Sequence, residues 1–300
     1  MTYIISNANL LTNGNLQKTS LLVKKSQVVS VKKTFNKFQF MQMDLGSYLM
    51  TPSYVFFDPN LPANQPFPAM KEYFINHFIL KGCTTVLTLV SISYEYELKK
   101  KVKRMKAMLA GSPIDYSLGV KLPLNLLTAN LIRQCKKERI PALFIEITNM
   151  DELSTIPWGW IREAMFPYNS PLIPVFQSDC TRERNQAKII WSQLMKQEKI
   201  SFIDHELTEH EPLSLSVLKK TGIYPIKSSL HHGGEVSYNL YLNSRKFTMI
   251  EELDLFHYHN HRLLVTVHKG NVIRAGSNVF YRPGFGEEVT VKTPSYYISG

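Results

Sequence analysis

Apolar residues fall into two textures along this chain, and the change near residue 48 carries most of what the sequence says about its fold. Before it, short apolar runs alternate with turn signals: Tyr3-Ile4-Ile5, the turn Asn13-Gly14-Asn15, then 20–23 and 27–31. Asn-Gly between apolar runs suits the positive backbone angles of a tight hairpin, so these runs predict paired β-strands. After it, apolar runs of strand length are separated by stretches of helical spacing. Strands are expected at 49–57, 84–90, 116–122, 142–147, 172–177 and 200–204, and helices around 69–80, 95–110, 124–138, 158–165 and 183–197. Strand–helix alternation predicts βα units on a parallel sheet. A closed βα barrel has about eight such units. Six strands therefore predict an α/β fold with an incomplete TIM-like barrel.

Composition narrows the class without naming a function. A chain of 300 residues, 44% hydrophobic and 11% aromatic, can bury a substantial core. Three cysteines, Cys83, Cys135 and Cys180, are odd in number and widely spaced. They argue against a disulfide framework and for a reducing, cytoplasmic location. No basic region followed by an apolar core opens the chain, and no run approaches the roughly 20 apolar residues that cross a bilayer, so no membrane is expected. The net charge of +11 raises the prospect of anionic partners. Its densest run carries Lys99, Lys100, Lys101, Lys103, Arg104 and Lys106, with Leu98, Val102, Met105 and Leu109 at spacings of one helical face. That pattern reads as a solvated outer helix, or as a contact for an acidic partner across 95–110. No nucleic-acid motif accompanies it, so nucleic acid is not the expected partner.

Residues 49–60, Leu-Met-Thr-Pro-Ser-Tyr-Val-Phe-Phe-Asp-Pro-Asn, resemble the first barrel strand of the amidohydrolase superfamily, which includes dihydroorotases and hydantoinases. That strand usually runs Thr-Pro-Gly, two apolar residues, then Asp-x-His-x-His. Here Thr51 and Pro52 keep the frame, Phe56 stands where the Asp is expected, and Asp58 and Asn60 stand where the histidines are. Ser6-Asn7-Ala8-Asn9-Leu10-Leu11-Thr12 is similar to the family's opening strand, and Lys81-Gly82-Cys83-Thr84-Thr85-Val86 to its second barrel unit. Residues 224–242 resemble the family's crossover signature through Lys227, Leu230, Gly233 or Gly234, and Tyr238-Asn239-Leu240. The runs 263–268, 272–276 and 279–287 look like its closing strands. The resemblance implies a composite β-sandwich from residues 1–48 and 223–300, around a truncated βα barrel at 49–222.

The family's chemistry needs one or two divalent ions, held by paired histidines, a carboxylated Lys or a Glu, two further histidines and an Asp. Phe144 stands where the bridging Lys is expected, Val175-Phe176-Gln177-Ser178 replaces a histidine segment, and the strand-eight Asp has no counterpart. What remains is a candidate vestigial site of Asp58, Asn60, Glu146 and His205, with His210 following; no catalytic residue is assigned. His257, His259 and His261 would share one face of an extended segment. His231-His232 reads as turn filler. No Gly-x-Ser-x-Gly is present, and Gly284-Phe285-Gly286 lacks the Lys-Ser/Thr of a phosphate loop.

The expectation is a catalytically degenerate amidohydrolase-like protein that acts by binding, as a scaffold for a partner enzyme or a small-molecule sensor, with no cofactor. Pseudo-dihydroorotases that hold a transcarbamoylase are the family's precedent. The alternatives are an active metal-dependent C–N hydrolase with an oxygen-rich site for zinc or another divalent metal, and a polyanion-binding protein. A six-stranded open sheet also predicts a covered edge, by a second copy of the chain in a homodimer or by a helix at 213–220.

Overall fold

The computed structural model describes residues 1–35, 38–177, 181–243 and 252–295; Ser178 and Cys180 lie outside the described residues. Five strands open the chain: β1 (Thr2–Thr12), β2 (Asn15–Lys24), β3 (Gln27–Lys32), β4 (Met41–Asp44) and β5 (Tyr48–Pro52). Asn13 and Gly14 are both left-handed, at φ 54° and 71°, and close the β1–β2 hairpin. Strands and helices then alternate through β6 (Tyr54–Asp58), α1 (Phe67–His77), β7 (Cys83–Ser91), α2 (Glu97–Leu109), β8 (Asp115–Pro123), α3 (Ala129–Lys137), β9 (Leu143–Ile147), α4 (Trp158–Met165), β10 (Leu172–Phe176) and α5 (Thr181–Gln197). The rest comprises α6 (Leu215–Thr221), β11 (Tyr238–Leu242), α7 (Glu252–His259), β12 (Leu263–His268), β13 (Asn271–Ala275) and β14 (Asn278–Val279).

Hydrogen bonding sorts the strands into two sheets. One is parallel and five-stranded, in the order β10-β9-β8-β7-β6, and curls into a half-barrel. The other is mixed and nine-stranded, in the order β14-β13-β12-β11-β5-β1-β2-β3 with β4 beside β1. Two expected strands change. The run 49–57 divides at Ser53: Pro52 has no N–H, Ser53 N donates to Ser237 O at 3.2 Å, and Tyr54 N donates to Gly82 O at 3.1 Å. Its first half thus pairs with β1 and β11, and its second half with β7. The expected strand 200–204 is reduced to a single bridge between Phe202 and Leu172.

Both edges of the half-barrel are covered by the chain itself. At β10, Leu172 N donates to Ser201 O and Ile203 N to Leu172 O, both at 2.9 Å. At β6, His210 N donates to Phe57 O and Leu213 N to Val55 O, both at 2.8 Å. Residues 201–213 therefore form a strap that satisfies edge groups on both flanking strands. The edge bonds come from this strap and not from the helix expected at 213–220, which the strap leads into as α6.

Alternating side chains give the half-barrel two cores. On the outer face Phe56, Val86, Leu118 and Ile145 pack against the helices through Phe74, Val102, Ile132, Ile161 and Trp191. On the inner face Val55, Phe57, Leu87, Leu89, Phe144 and Ile173 pack against Leu213, Val217 and Leu218. Phe57 and Phe144 stack there, with centroids 5.1 Å apart and planes 6° from parallel. Gly119 makes room for them, since a Cβ at that position would lie 2.9 Å from Leu89 and from Phe144. α6 is started by the Ser214 hydroxyl, which accepts from Val217 N, and ended by Gly222 at φ 74°. The inner face is thus plugged by a helix from the same chain.

α2 buries Leu98, Val102 and Leu109 and leaves Lys99, Lys100, Lys103 and Arg104 exposed, as its spacing predicts. Lys101 pairs with Glu97 at 3.0 Å and Lys106 with Glu288 at 2.8 Å. Cys83 and Cys135 are buried free thiols, each pushed up to about 12 by burial. No helix among the described residues is long and apolar enough to cross a membrane. His257 and His259 end α7 and His261 lies in the single turn after it, so the three imidazoles do not share a strand face.

Candidate functional site

Asp58 ends β6, a run of five fully buried positions, and its carboxylate is completely enclosed. Pro59 cannot donate to the ladder, so the chain turns, and Asp58 Oδ1 accepts from Asn60 N at 2.9 Å. Asp58 shares the outer face with Phe56 and meets α1. Tyr73 and His77 lie one turn apart on that helix, with rings stacked at 4.3 Å. Tyr73 Oη donates to Asp58 Oδ2 at 2.8 Å. From the strap, His210 brings Nε2 to 2.8 Å from Tyr73 Oη and 3.3 Å from Asp58 Oδ2. Tyr73 spends its only proton on Asp58, so His210 Nε2 carries the proton shared with these two oxygens.

The electrostatics follow from that enclosure. Burial raises the Tyr73 phenol well above its usual range, and the Asp58 hydrogen bond and charge add to the rise. Burial lowers the His77 imidazole, aided by His210, 4.5 Å away between ring centroids, and by Lys81. Glu209 brings Oε1 to 3.8 Å from His210 Nε2. His210 itself is left-handed, at φ 58°, a conformation that costs free energy for a residue with a Cβ.

The four residues expected from the sequence are not gathered. Only Asp58 and Asn60 are neighbours. Glu146 lies on the inner-face side of β9, three strands from β6 or roughly 14 Å, and pairs with Lys121 at 2.8 Å. His205 is exposed and bonds Asp204 at 2.7 Å. The residues that do surround Asp58 are Tyr73, His77, Glu209 and His210. Tyr73 and His77 have a local signal, the i,i+4 spacing on a helix; the meeting of His210 with Asp58, 152 residues apart, has none.

A second buried carboxylate stands at the opposite end of the half-barrel. Asp115 begins β8 and is fully enclosed. Lys227 contacts both Asp115 Oδ2 and Glu235 Oε2, and Lys269 Nζ lies 2.7 Å from Asp115 Oδ1. Glu287 N also donates to Asp115 Oδ1 at 2.7 Å. Buried His268 completes the network, 3.6 Å from Asp115 and 3.6 Å from Glu235. Burial pushes the Asp115 carboxyl up, but His268 and Lys227 outweigh it and hold it well below the usual range. Burial likewise pushes Lys227 down, and Asp115 with Glu235 outweighs it. Two ammonium groups occupy the places a cation would take, so this network ties β8, the crossover and β12 together. Asn239 Nδ2, donating to Gly82 O at 3.0 Å, is a further tie between the sheets.

Among the described residues the inner face does not assemble the ligand set that the amidohydrolase resemblance implies: its carboxylate, Glu146, is paired with Lys121 at 2.8 Å, and apolar side chains pack the rest. Phe144 takes the bridging position and is stacked on Phe57, and Phe176, where a histidine is expected, packs into the helix-side core.

No family model matches this sequence, and no curated protein does. Solved structures do match in fold. The chain is similar to dihydropyrimidinase from Brevibacillus agri NCHU1002, with a TM-score of 0.62 at 13% identity over 98% of this chain and 100% of that one. D-Hydantoinase (dihydropyrimidinase) from Thermus sp. gives 0.61 at 11%, over 98% and 100%. Another D-hydantoinase gives 0.60 at 13%, over 97% and 99%. At such identities the likeness is one of fold: the half-barrel and its companion sheet resemble the architecture of these hydantoinases and dihydropyrimidinases.

Proposed function

We propose that this chain is a catalytically degenerate amidohydrolase-like protein that acts by binding, as a scaffold for a partner enzyme. The observation that carries this reading is the filled inner face. Where a hydrolase of this fold needs polar donors and room for substrate, Phe57, Phe144, Leu213, Val217 and Leu218 form a packed core. The same packing disfavours a small-molecule sensor built on the old pocket. The scaffold surface is then on the outer helices, where α2 offers Lys99, Lys100, Lys103 and Arg104 to an acidic partner surface. Light scattering at micromolar concentration distinguishes a separate partner from a second copy of the chain.

The rival reading, a working C–N hydrolase with an unorthodox metal site, draws on the ligand atoms of Asp58, Glu209 and His210, which lie within 4.8 Å of one another. That group lies on the helix side of β6, behind the packed inner face. The deciding assay supplies zinc or manganese and offers hydantoin, dihydrouracil and dihydroorotate. No turnover above the metal-only blank is expected. Turnover that disappears in Asp58→Ala would overturn the scaffold reading in favour of the hydrolase.

A further inference from the structure

We propose that Asp58, Glu209 and His210 form a zinc site that clasps the strap to the edge of β6. The starting point is charge. Asp58 is completely buried, and its ion-pair partner among the described residues is His210 alone, with no Lys or Arg in contact. Burying a carboxylate without a fixed cation is costly, and a divalent ion removes that cost directly.

Geometry then selects the ion. Zinc bonds of about 2.0–2.1 Å in a tetrahedron put neighbouring ligand atoms roughly 3.3–3.4 Å apart. Asp58 Oδ2 and His210 Nε2 are already 3.3 Å apart, and Glu209 Oε1 is 3.8 Å from the same nitrogen. Glu209 sits on the exposed strap with its carboxylate within 4.8 Å of the Asp58 ligand atom, so rotation of an exposed side chain supplies the rest of the approach. One imidazole with two carboxylates is a borderline donor set that suits zinc over calcium or magnesium, which prefer oxygen alone. Tyr73 fixes the orientation of the Asp58 carboxylate by hydrogen bonding, as an outer-shell partner does. The left-handed backbone of His210 is the local strain that aims its ring at Asp58.

The site differs in place and role from a catalytic metal. It faces α1, not the inner face, and its ligands come from the end of β6 and from the strap. Because His210 Nε2 donates to Tyr73 and Asp58 in the metal-free protein, zinc takes that nitrogen's lone pair only as the proton leaves or shifts to Nδ1. Closure joins two segments 152 residues apart in sequence and holds the hydrogen bonds from His210 and Leu213 that satisfy the β6 edge.

The test uses the full chain, freed of metal by chelator dialysis and titrated with zinc chloride against a chromophoric chelator. One equivalent per chain is expected, with a rise in melting temperature and slower hydrogen exchange at the His210 and Leu213 amides. Asp58→Asn and His210→Gln should each weaken binding at least tenfold, while Glu146→Gln and His205→Gln leave it unchanged. Glu209→Gln, at an exposed position that does not threaten folding, should also weaken it. Absence of stoichiometric uptake, or uptake in Glu209→Gln and Asp58→Asn as tight as in the wild type, would overturn the site. Unchanged exchange at the two amides would overturn the clasp. Hydantoin turnover in the same zinc-loaded sample would overturn the scaffold reading alone, and protein that takes up no added zinc and shows no turnover would overturn the site alone.

Discussion

Two buried carboxylates mark opposite ends of the half-barrel, and their partners differ in kind. Asp115, at the start of β8, is held by two lysines and a backbone N–H, and Asp58, at the end of β6, is held by a phenol and an imidazole. Both are fully enclosed. The first has its compensating charge built in covalently, so it can act only as a structural tie between the two sheets. The second relies on groups that exchange protons or accept a metal, so its environment can change state. The lesson is that burial alone does not separate a tie from a site; the permanence of the counter-charge does.

The largest expected effect comes from breaking the tie. Lys227→Met leaves Asp115 and Glu235 with Lys269 and His268 as their remaining charged or titratable partners, and loss of one partner from a buried pair costs about 3–5 kcal/mol. Urea unfolding at neutral pH measures it. A loss under about 1 kcal/mol would mean that the network is not a tie, and the contrast between the two carboxylates would fail.

The pH dependence sharpens the same contrast. The Asp115 carboxyl is depressed in the fold, so its contribution is present above the ordinary carboxylate value of about 3.9 and is lost as pH falls through its lower folded value. Lys227 is raised, so its contribution is complete below about 10.4 and is lost as pH climbs through the higher folded value. The tie should hold evenly between these limits. Urea midpoints measured across pH should fall at both ends in the wild type, and Lys227→Met should lose the alkaline fall. An unchanged alkaline limb in the variant would assign that fall to other groups.

The same contrast bears on what the sequence discloses. Alternating strand and helix patterns, the Asn13-Gly14 hairpin and the buried stripe of α2 are local features, set by side-chain period and turn chemistry, and all are legible without coordinates. Lys227 was legible through the crossover signature, and the structure supplies its physical reason in Asp115 and Glu235. The split of 49–57 was not legible, because both halves are apolar and only their different pairing partners separate them. The reduction of 200–204 to one bridge is equally a matter of partners. Of the site, Asp58 was legible through the first-strand resemblance, where it stands in place of a histidine. His210 was not, because a left-handed residue on an irregular strap has no periodicity to betray the face it turns toward. Glu146 and His205 were assigned by strand position, but Glu146 faces the inner side of the sheet while Asp58 faces the helices, and His205 is exposed on the strap.

The smallest effect expected is at the exchangeable end. Tyr73→Phe keeps the ring that packs against His77 and Phe78 and removes only the hydroxyl. Asp58 Oδ2 then keeps His210 alone, at 3.3 Å. Losing one hydrogen bond to a buried acceptor costs about 1–3 kcal/mol. The low end applies here, because His210 is partly exposed and the strap can admit a water to the vacated position. In chelator-dialysed protein this loss should be less than half that of Lys227→Met. With zinc present, the variant should bind the metal about 10–100-fold more weakly, the range for removal of an outer-shell partner. A stability loss equal to that of Lys227→Met would make Asp58 a structural tie of the same kind as Asp115, and the contrast between the two ends would be lost.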